Sequence, residues 1–223
     1  MPRATPIHVV LDRPDFPTSS PSVLHNYANP LPVRLSFRDL ILAPVSRADI
    51  ELLHGWEADP ASLRLWTTRK DILSQEEFAQ LFASRLRSYY HVFFMIHISG
   101  RPVGFIYSYE PNFLDGHAYV TAFVETVCRD RGIAARAGLL FAHYLFSYFS
   151  FRKLYCDVFE YNSRSLTALK GAGLSVEGVF RDHRFYGGRH WTMYRLALYR
   201  EDFYRRFTPM LQRMTGFSRP GHE

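Results

Sequence analysis

A short turn that joins a strand-like segment to an apolar helix is the feature that most restricts the fold of this chain. The strand pattern covers residues 119–127, the turn reads Arg129-Asp130-Arg131-Gly132-Ile133-Ala134, and the helix pattern follows over 135–149. The first N–H groups of a helix have no acceptor within it, and the helix dipole favours negative charge beside them. Because Gly132 and Ala134 carry little or no side chain, a bulky anion can approach that backbone closely. The segment predicts a pyrophosphate site, with a plain strand-to-helix turn as the alternative.

The composition is that of a globular protein with one core. The chain has 223 residues, of which 47% are hydrophobic and 22% charged, and this length suits a single full-sized domain. No uninterrupted apolar run approaches the roughly 20 residues that span a bilayer, and the first residues lack the charged and apolar regions of a signal peptide. The sequence therefore favours a cytoplasmic protein without a membrane partner.

The net charge of +6 is compatible with several kinds of partner. The basic residues are scattered rather than gathered in a run, so we expect no nucleic-acid partner. A positive surface also attracts a ligand with several phosphates. The two cysteines, Cys128 and Cys156, are too few for a disulfide framework and show no ligand spacing, so we expect no metal site.

The order of the predicted elements indicates the fold class. Proline and serine are frequent in residues 1–33, which predicts an irregular N-terminal arm. A single domain is predicted over 34–214 and a tail over 215–223. The first strands of the domain pair antiparallel and the later ones alternate with helices. This order predicts an α+β fold with a mixed, mostly antiparallel sheet and helices on both faces.

Periodicity and capping residues predict the individual elements. The predicted strands cover 37–44, 91–99, 102–110, 117–127, 153–159, 174–186 and 189–199. The predicted helices begin at Ser46, Asp59, Ser74, Gly132, Ser163 and Glu201. The helix at Ser74 starts with a capping box, because Glu77 stands three residues after the serine, and is expected to run to about Ser88.

Four blocks of sequence, in the same order, resemble the GCN5-related N-acetyltransferase (GNAT) superfamily over residues 34–202. The turn at 129–134 is similar to that family's acyl-coenzyme A signature, Gln/Arg-x-x-Gly-x-Gly/Ala. Residues 161–178 resemble its N-x-x-S-x-x-x-L-x-K-x-G-F-x-x-E-G stretch, with Leu174 in place of the usual aromatic residue. The other two blocks look like the family's opening strand and helix and its last hairpin, at 40–56 and 181–189.

Within the family, the chain is most similar to the branch of ribosomal-protein alanine, spermidine and nucleotide-sugar N-acetyltransferases. The resemblance implies a sheet splayed at an acyl-CoA cleft, acetyl-CoA as co-substrate, and direct attack by a primary amine in a ternary complex. The branch does not define the acceptor; because nothing in the chain specifies a ribosomal partner, we expect a small molecule of the amino sugar, amino acid or polyamine type. A protein N-terminal acetyltransferase and a non-catalytic coenzyme A binder are the alternatives, and a homodimer is left open.

The resemblance also implies which residues hold coenzyme A. The pantetheine arm is expected along the end of the strand before the turn, where a backbone N–H polarises the thioester carbonyl. Asn162 matches a family asparagine that hydrogen-bonds this arm, and a helix N-cap is its alternative role. The full expected set is Ala122, Phe123, Val124, Arg129, Arg131, Gly132, Ile133, Ala134, Ala135, Arg136 and Asn162.

The catalytic residues depart from the family pattern. Leu169 stands at the position of a tyrosine that is frequent in the family, so Ser165 is expected to protonate or solvate the departing thiolate; a helix-surface serine is the alternative. Arg184 stands where some relatives have a glutamate base. Candidates for the base are Glu125, Asp182 and His183. Strand alternation places only one of the last two on the cleft face.

Alternation along two strands groups aromatic side chains on one surface. Tyr107 and Tyr109 share a face of their strand, and Tyr119 shares a face of the next strand with Glu125. The three tyrosines are expected to line the acceptor pocket. A wall of this kind suits a sugar, an amino-acid side chain or a peptide terminus equally well.

Overall fold

The structure is a computed structural model that describes residues 34–60, 64–65, 71–86, 92–129 and 131–215. The predicted N-terminal arm, nearly all of the predicted tail and most of the short helix predicted after Asp59 lie outside these residues. Asp130 of the predicted anion-binding turn lies outside them too. The division into arm, domain and tail therefore stays a prediction.

Eight strands of the described residues form one sheet. They are β1 (Leu35–Phe37), β2 (Leu40–Pro44), β3 (Phe93–Ile98), β4 (Arg101–Asn112), β5 (His117–Val124), β6 (Lys153–Phe159), β7 (Ser175–Tyr186) and β8 (Arg189–Tyr199). Their order across the sheet is β1-β2-β3-β4-β5-β6-β8-β7. Neighbouring strands are antiparallel except β5 and β6, which are parallel. The predicted mixed, mostly antiparallel sheet is confirmed.

Helices cover both faces of the sheet, as predicted. They are α1 (Ile50–Ala58), α2 (Gln75–Leu86), α3 (Ile133–Tyr148), α4 (Ser163–Gly171) and α5 (Arg200–Thr215), with short 3₁₀ turns at Arg47–Asp49 and Thr126–Cys128. The clusters of apolar side chains put α3, α4 and α5 on one face, called the α3 face, and α1 and α2 on the other, called the α1 face. Within the described residues, none of the helices combines the length and apolar character needed to cross a membrane.

Two element predictions are wrong in ways that matter for the site. The strand predicted over 37–44 is a hairpin of β1 and β2, which turns at Arg38 with φ of 56°. The strand predicted to reach residue 127 ends at Val124, because the next residues form the 3₁₀ turn Thr126–Cys128. The capping box before α2 is confirmed: the Ser74 N–H donates to Glu77 Oε2 at 2.9 Å and the Glu77 N–H donates to Ser74 Oγ at 3.3 Å.

The long helix α3 is buried along most of its length. Phe141, Leu145 and Phe146 are at most 1% exposed and pack with residues of β2, β3 and β4. Each fully buried side chain of this size contributes about 1.5–3 kcal/mol relative to an exposed one. A core of this size fixes α3 against the sheet and so fixes the position of its first turn.

The sheet parts between β5 and β6. Their parallel ladder joins three residue pairs, from His117↔Lys153 to Tyr119↔Tyr155, and the remaining residues of each strand have no partner in the other. On its other edge β5 stays paired with β4 up to Val124↔Gly104. A Cβ on Gly104 would lie 2.1 Å from the Phe123 carbonyl oxygen. The absence of a side chain at Gly104 lets β5 follow β4 rather than β6, which opens the split.

A polar cluster on the α1 face ties β6, β7 and β8 together. The Glu177 carboxylate accepts hydrogen bonds from Lys153 Nζ at 2.8 Å, from the Tyr155 hydroxyl at 2.9 Å and from the Tyr199 hydroxyl. Burial opposes the charge of this carboxylate, but the three hydrogen bonds outweigh it and lower the pKa of Glu177 to about 2. Burial likewise opposes the charge of Lys153, and the hydrogen bond to Glu177 nevertheless raises its pKa.

The close approach at Gly104 predicts the effect of one added methyl group. Gly104→Ala should lower the free energy of unfolding by about 1–3 kcal/mol, as overpacking does in a core, because the new Cβ meets backbone that cannot move alone. Gly138→Ala is the matched control: a Cβ there meets nothing within 4 Å inside α3, and the change should add about 0.5–1 kcal/mol. Chemical denaturation measures both, and a Gly104→Ala protein at least as stable as wild type would contradict the packing.

The cluster around Glu177 predicts a pH-dependent stability. Glu177→Gln should cost about 1–3 kcal/mol at neutral pH, because it removes the charge that three donors share. The folded-state pKa lies below the ordinary 4.5, so this contribution is complete above that pH and is lost as pH falls towards 2. Denaturation curves at a series of pH values test this: the difference between the two proteins should shrink below about pH 4.5. A difference that stays constant would refute it, and Glu51→Gln, at an exposed site on α1, serves as control.

Candidate functional site

The first turn of α3 is open to a ligand. Gly132 caps the helix with φ of 66°, and a Cβ on it would meet nothing within 4 Å. Arg131, Ala134 and Ala135 are also exposed, and the helical hydrogen bonds begin with the Arg136 N–H, which donates to the Gly132 oxygen at 3.0 Å. The N–H groups before it point out of the helix end. These features fit the phosphates of coenzyme A.

One predicted cofactor residue contributes backbone only. Ile133 is 4% exposed and belongs to the core beneath α3, so its side chain cannot contact a ligand at the helix end. Its N–H remains part of the open first turn. Packing in the core accounts for an isoleucine at this position. The small residues on either side, Gly132 and Ala134, keep the space above the backbone open.

The arginines around this turn are engaged in different ways. Arg129 Nε donates to the Val124 carbonyl oxygen at 2.9 Å, which braces the end of β5. Arg136 Nη1 lies 2.7 Å from Asp39 Oδ1 in the β1–β2 turn, and this hydrogen bond lowers the pKa of Asp39. Arg131 is exposed at the start of the helix. Arg131 is therefore the most available of the three arginines for contact with a phosphate. Arg129 and Arg136 also hold the surrounding backbone in place.

The edge of β5 that faces the split offers backbone groups. The Glu125 N–H donates to the Val103 oxygen at 2.9 Å, so alternate residues of β5 bond to β4 and those between them point to the other edge. The groups of Ala122 and Val124 therefore face the split. The side chains of Phe123 and Val124 are 5% and 7% exposed and lie in the two cores. A pantetheine arm can therefore contact the backbone of these residues and the small side chain of Ala122, but not the buried side chains of Phe123 and Val124.

The start of α4 lies beyond the end of β6. Asn162 is the N-cap, and its Oδ1 accepts a hydrogen bond from the Ser165 N–H at 3.4 Å, so its alternative role as a cap is observed. Ser165 is half-buried in the first turn. Leu169, at the position of the missing tyrosine, packs in the core with Val158 and Leu196. The roles of Asn162 towards the cofactor and of Ser165 as proton donor stay predictions.

A bulge in β7 changes the placement of two candidate bases. Phe180 pairs with Met193 and Arg184 with Trp191, so three residues of β7 stand opposite one of β8. Asp182 adopts φ of 50° in this bulge, and both it and His183 are exposed. The bulge interrupts the alternation on which the prediction for these two residues rests, so strand alternation does not decide which of them lies on the cleft face. The His183 ring lies 6.5 Å from that of Phe159, the last residue of β6.

The third candidate base, Glu125, is held by the first residue of β4 and by the 3₁₀ turn that follows it. It lies outside β5, so the prediction that it shares a strand face with Tyr119 is wrong. Its Oε1 accepts hydrogen bonds from Arg101 Nη2 and from Cys128 Sγ. The bond from Cys128 raises the pKa of that thiol. An ion-paired carboxylate in this position is a poor candidate for proton transfer at the split.

The predicted tyrosines lie together on the α1 face. Ring centroids are 5.7 Å apart between Tyr107 and Tyr109, 5.3 Å between Tyr109 and Tyr119, and 5.3 Å between Tyr119 and Tyr155 of β6. The row therefore crosses the base of the split. Burial raises the pKa of Tyr109 well above its ordinary value and raises that of Tyr119 as well, so both hydroxyls stay protonated at neutral pH.

Three further polar residues on this face were missed from the sequence. Asp157 accepts two hydrogen bonds from Arg195, from Nε at 2.9 Å and from Nη2 at 2.8 Å, and the guanidinium lies 4.7 Å from the Tyr119 ring. Glu57 is 5% exposed and lines a narrow cavity with Tyr107 and other aromatic side chains. Alternation with Tyr155 along β6 is a signal that could have identified Asp157. Glu57 has no such signal, because only the packing of α1 on the sheet buries it.

The chain after α1 reaches across to the β7–β8 hairpin. The Tyr161 hydroxyl donates to the Arg64 carbonyl oxygen at 2.7 Å, and Arg64 Nη1 donates to the Tyr186 hydroxyl at 3.2 Å. These bonds join the segment after α1 to the segment before α4 and to the end of β7. Among the described residues, no group of three or more His, Cys, Asp or Glu side chains is placed to hold a metal ion.

Comparisons with known proteins agree with this geometry. The chain is 22% identical over 162 residues to the spermidine N(1)-acetyltransferase of Escherichia coli K12, a match that covers 73% of this chain and 87% of that protein. A spermidine N-acetyltransferase from Vibrio cholerae, solved with CoA and spermine, superposes with a TM-score of 0.70 at 17% identity, covering 74% of this chain and 98% of that one. A ribosomal L7/L12 alpha-N-protein acetyltransferase solved with coenzyme A superposes with a TM-score of 0.68 at 15% identity, covering 77% and 98%.

The family assignment rests on a match to a whole-domain sequence model. Residues 42–194 match the acetyltransferase (GNAT) domain. This range begins in β2 and ends in β8, so it includes the split, the open first turn of α3 and the cap of α4. Since it spans more than half of the chain, the protein belongs to the GNAT family of acetyltransferases, which use acetyl-CoA to acetylate amines.

Proposed function

We propose that this N-acetyltransferase acts on a small-molecule primary amine that binds on the α1 face of the split. The observation that carries the proposal is the end of the β5–β6 ladder at Tyr119↔Tyr155. Past this pair, a strip of unpaired β5 backbone lies between an open helix end on the α3 face and a row of tyrosines on the α1 face. Two substrates can therefore meet at the split from opposite faces.

The residues of the α3 face fit the donor. Acetyl-CoA supplies the thioester carbonyl that the amine attacks and the thiolate that leaves. The N–H groups of the first turn of α3 bind its phosphates, and Arg131 adds a positive charge. The backbone N–H groups of Ala122 and Val124 orient the arm and polarise the carbonyl. The Asn162 side chain uses its Oδ1 for the cap, which leaves the amide nitrogen to donate to the arm.

Proton transfer involves residues on both sides of the split. Ser165, at the start of α4, is the proposed proton donor to the leaving thiolate, directly or through water. On the amine side, Asp182 and His183 remain the candidate bases, and their exposure on the bulge suits a route through water. An amine that arrives neutral needs no base on the protein.

The small size of the acceptor is supported by the relatives and by the α1 face. The curated relative at 22% identity is a spermidine acetyltransferase, which acts on a small amine. On the α1 face, the row of tyrosines offers aromatic surface of a size that suits a small ligand. A protein N-terminus is the second candidate, since the ribosomal-protein acetyltransferase shares the fold.

A thiol-release assay with acetyl-CoA tests the proposed function directly. Small primary amines, among them spermidine, lysine and glucosamine, are compared with a peptide that has a free N-terminus. Release that depends on a small amine is the expected result. Release with the peptide alone would favour the second candidate, and release with none of them, despite tight binding of acetyl-CoA, would favour a non-catalytic coenzyme A binder.

The open helix end predicts the outcome of a change at Gly132. Gly132→Asp should abolish acetyl-CoA binding, because a carboxylate would occupy the space of the phosphates and repel them. Calorimetric titration measures the affinity, and the melting temperature of the free protein reports folding. Gly187→Asp is the matched control, since Gly187 also has a positive φ and open space but lies in the β7–β8 turn. Unchanged affinity in Gly132→Asp would remove this turn from the cofactor site.

The placement of Ser165 predicts a kinetic effect. Ser165→Ala should lower kcat by roughly tenfold or more, as loss of a general acid does, while acetyl-CoA affinity and melting temperature stay close to wild type. Asn162→Ala is the informative comparison, because it should reduce stability by about 1 kcal/mol through loss of the cap and also weaken cofactor binding. A wild-type kcat for Ser165→Ala would exclude this hydroxyl as the proton donor.

A further inference from the structure

An aromatic cluster stands at the open end of the split on the α1 face. The rings of Phe159 and Tyr161 are 5.5 Å apart, and Tyr161 lies 5.2 Å from Tyr186 and 5.3 Å from Trp191. Phe159 is the last residue of β6, the strand that borders the split, and the other rings come from the α4 approach and the β7–β8 hairpin. The cluster therefore forms the end wall of the proposed acceptor site.

Three arginines rest on this wall. Each contacts a different aromatic residue: Arg64 Nη1 donates to the Tyr186 hydroxyl at 3.2 Å, the Arg184 guanidinium lies 4.6 Å from the Phe159 ring, and that of Arg189 lies 3.5 Å from the Trp191 ring. Both Arg64 and Arg184 are close enough to Tyr161 to oppose, by their charge, the rise in its pKa that burial causes. The positive charges thus converge on one small region.

In the described part of the chain, Arg184 and Arg189 lack the carboxylate partners that other cations on the same face have, whereas Asp59 lies close enough to Arg64 to attract its charge. Arg195 is paired with Asp157 and Lys153 with Glu177. Among the described residues, neither Arg64, Arg184 nor Arg189 forms an ion pair with a carboxylate. Arg184 and Arg189 therefore bring positive charge without a paired carboxylate to the end wall, which favours an anionic group of a ligand beside them.

The Arg184 guanidinium is not fully satisfied within the protein. One of its nitrogens, Nη1, is closed to solvent and has no hydrogen-bond partner within the part of the chain that the structure describes, so a ligand would contact the group through its other nitrogens. A buried charged donor without an acceptor is costly and uncommon in folded proteins. A carboxylate or phosphate oxygen of a ligand is the acceptor that a guanidinium group binds best.

We infer that the acceptor carries a carboxylate or phosphate group beside its primary amine, and that Arg184 binds this group. The inference rests on the proposed function and selects, within it, acidic amines such as amino acids and phosphorylated amino sugars over polyamines. A polyamine carries positive charge along its whole length, so it meets the end wall with charge of the same sign. Arg184 is then the residue that sets specificity, at the position where some relatives have a glutamate.

Matched pairs of amines test the inference. Each pair differs by one anionic group: ornithine and putrescine, lysine and cadaverine, glucosamine 6-phosphate and glucosamine. Rates of thiol release from acetyl-CoA give kcat/KM for each compound and for spermidine. The wild-type enzyme should prefer the anionic member of a pair by about tenfold or more, the usual scale for one charge-assisted contact. Comparison of the pairs then distinguishes a carboxylate from a phosphate.

Variants of Arg184 assign the preference to this residue. Arg184→Gln should remove it, lowering kcat/KM for the anionic amines more than for the partners that lack the anionic group, with acetyl-CoA affinity close to wild type. Arg184→Lys should retain part of it, because the charge stays and the planar fork is lost. Arg205→Gln, at an exposed site on α5, is the control for net charge. Melting temperatures show whether each variant is folded, and calorimetric binding of ornithine and glucosamine 6-phosphate to the coenzyme A complex provides a second measurement independent of turnover.

Several results would overturn the inference. It fails if the wild-type enzyme prefers spermidine or the amines without an anionic group, if Arg184→Gln lowers both members of every pair equally, or if neither anionic amine binds the coenzyme A complex. The proposed function fails separately, through lack of acetyl-CoA binding or of turnover with any small amine. Turnover without a preference for anionic amines would therefore count against the inference alone.

Discussion

Three residue pairs of parallel ladder join the two parts of the sheet, and the whole site depends on where that ladder stops. Past Tyr119, β5 continues beside β4 and β6 continues beside β8, so each strand has one satisfied edge. The unsatisfied edge of β5 can bond to water or to a ligand, which avoids the cost of buried unpaired backbone groups. A complete ladder would bury this edge and leave no room for a substrate between the strands.

So short a ladder needs support at its closed end, and polar contacts supply it. The Arg152 N–H donates to the Gly116 oxygen at 2.7 Å, which ties the start of β6 to the turn before β5. Arg200, at the start of α5, donates to the carbonyl oxygens of Phe149 and Phe151, each at 2.6 Å. Burial lowers the pKa of Arg200, yet a guanidinium group keeps its charge even so. These bonds hold α3, β6 and α5 together below the point where the strands part.

Local features were predictable from the sequence because their causes are local. The start of α2 follows from Ser74 and Glu77, and the open turn before α3 follows from Gly132. Prediction failed where one residue adopts a backbone conformation that its type does not announce. Arg38 and Asp182 both have positive φ without being glycine, and they produce the β1–β2 turn and the bulge of β7. Neither feature leaves a glycine or proline signal in the sequence.

The acceptor side was harder to predict because its charge is decided by partners far apart in the chain. Asp157 and Glu177 look like available carboxylates in the sequence, yet Arg195 on the adjacent strand neutralises Asp157, and Lys153, two strands away, neutralises Glu177. Arg64 and Arg189 look like scattered surface charges, yet they meet at one wall. Counting acids and bases along the sequence therefore gives the net charge of the protein but not the sign of its binding surface.

The arginines of the end wall bear on proton transfer from the amine as well as on specificity. An amine must lose its proton before it attacks a thioester, and a cationic environment favours the neutral form of an amine. A glutamate at the position of Arg184 would accept that proton but would also stabilise the ammonium form. An arginine cannot accept a proton, but it lowers the fraction of amine that needs one removed. The bulge of β7 keeps Asp182 and His183 as the proposed bases for any proton that the amine still carries, because Arg184 itself can accept none.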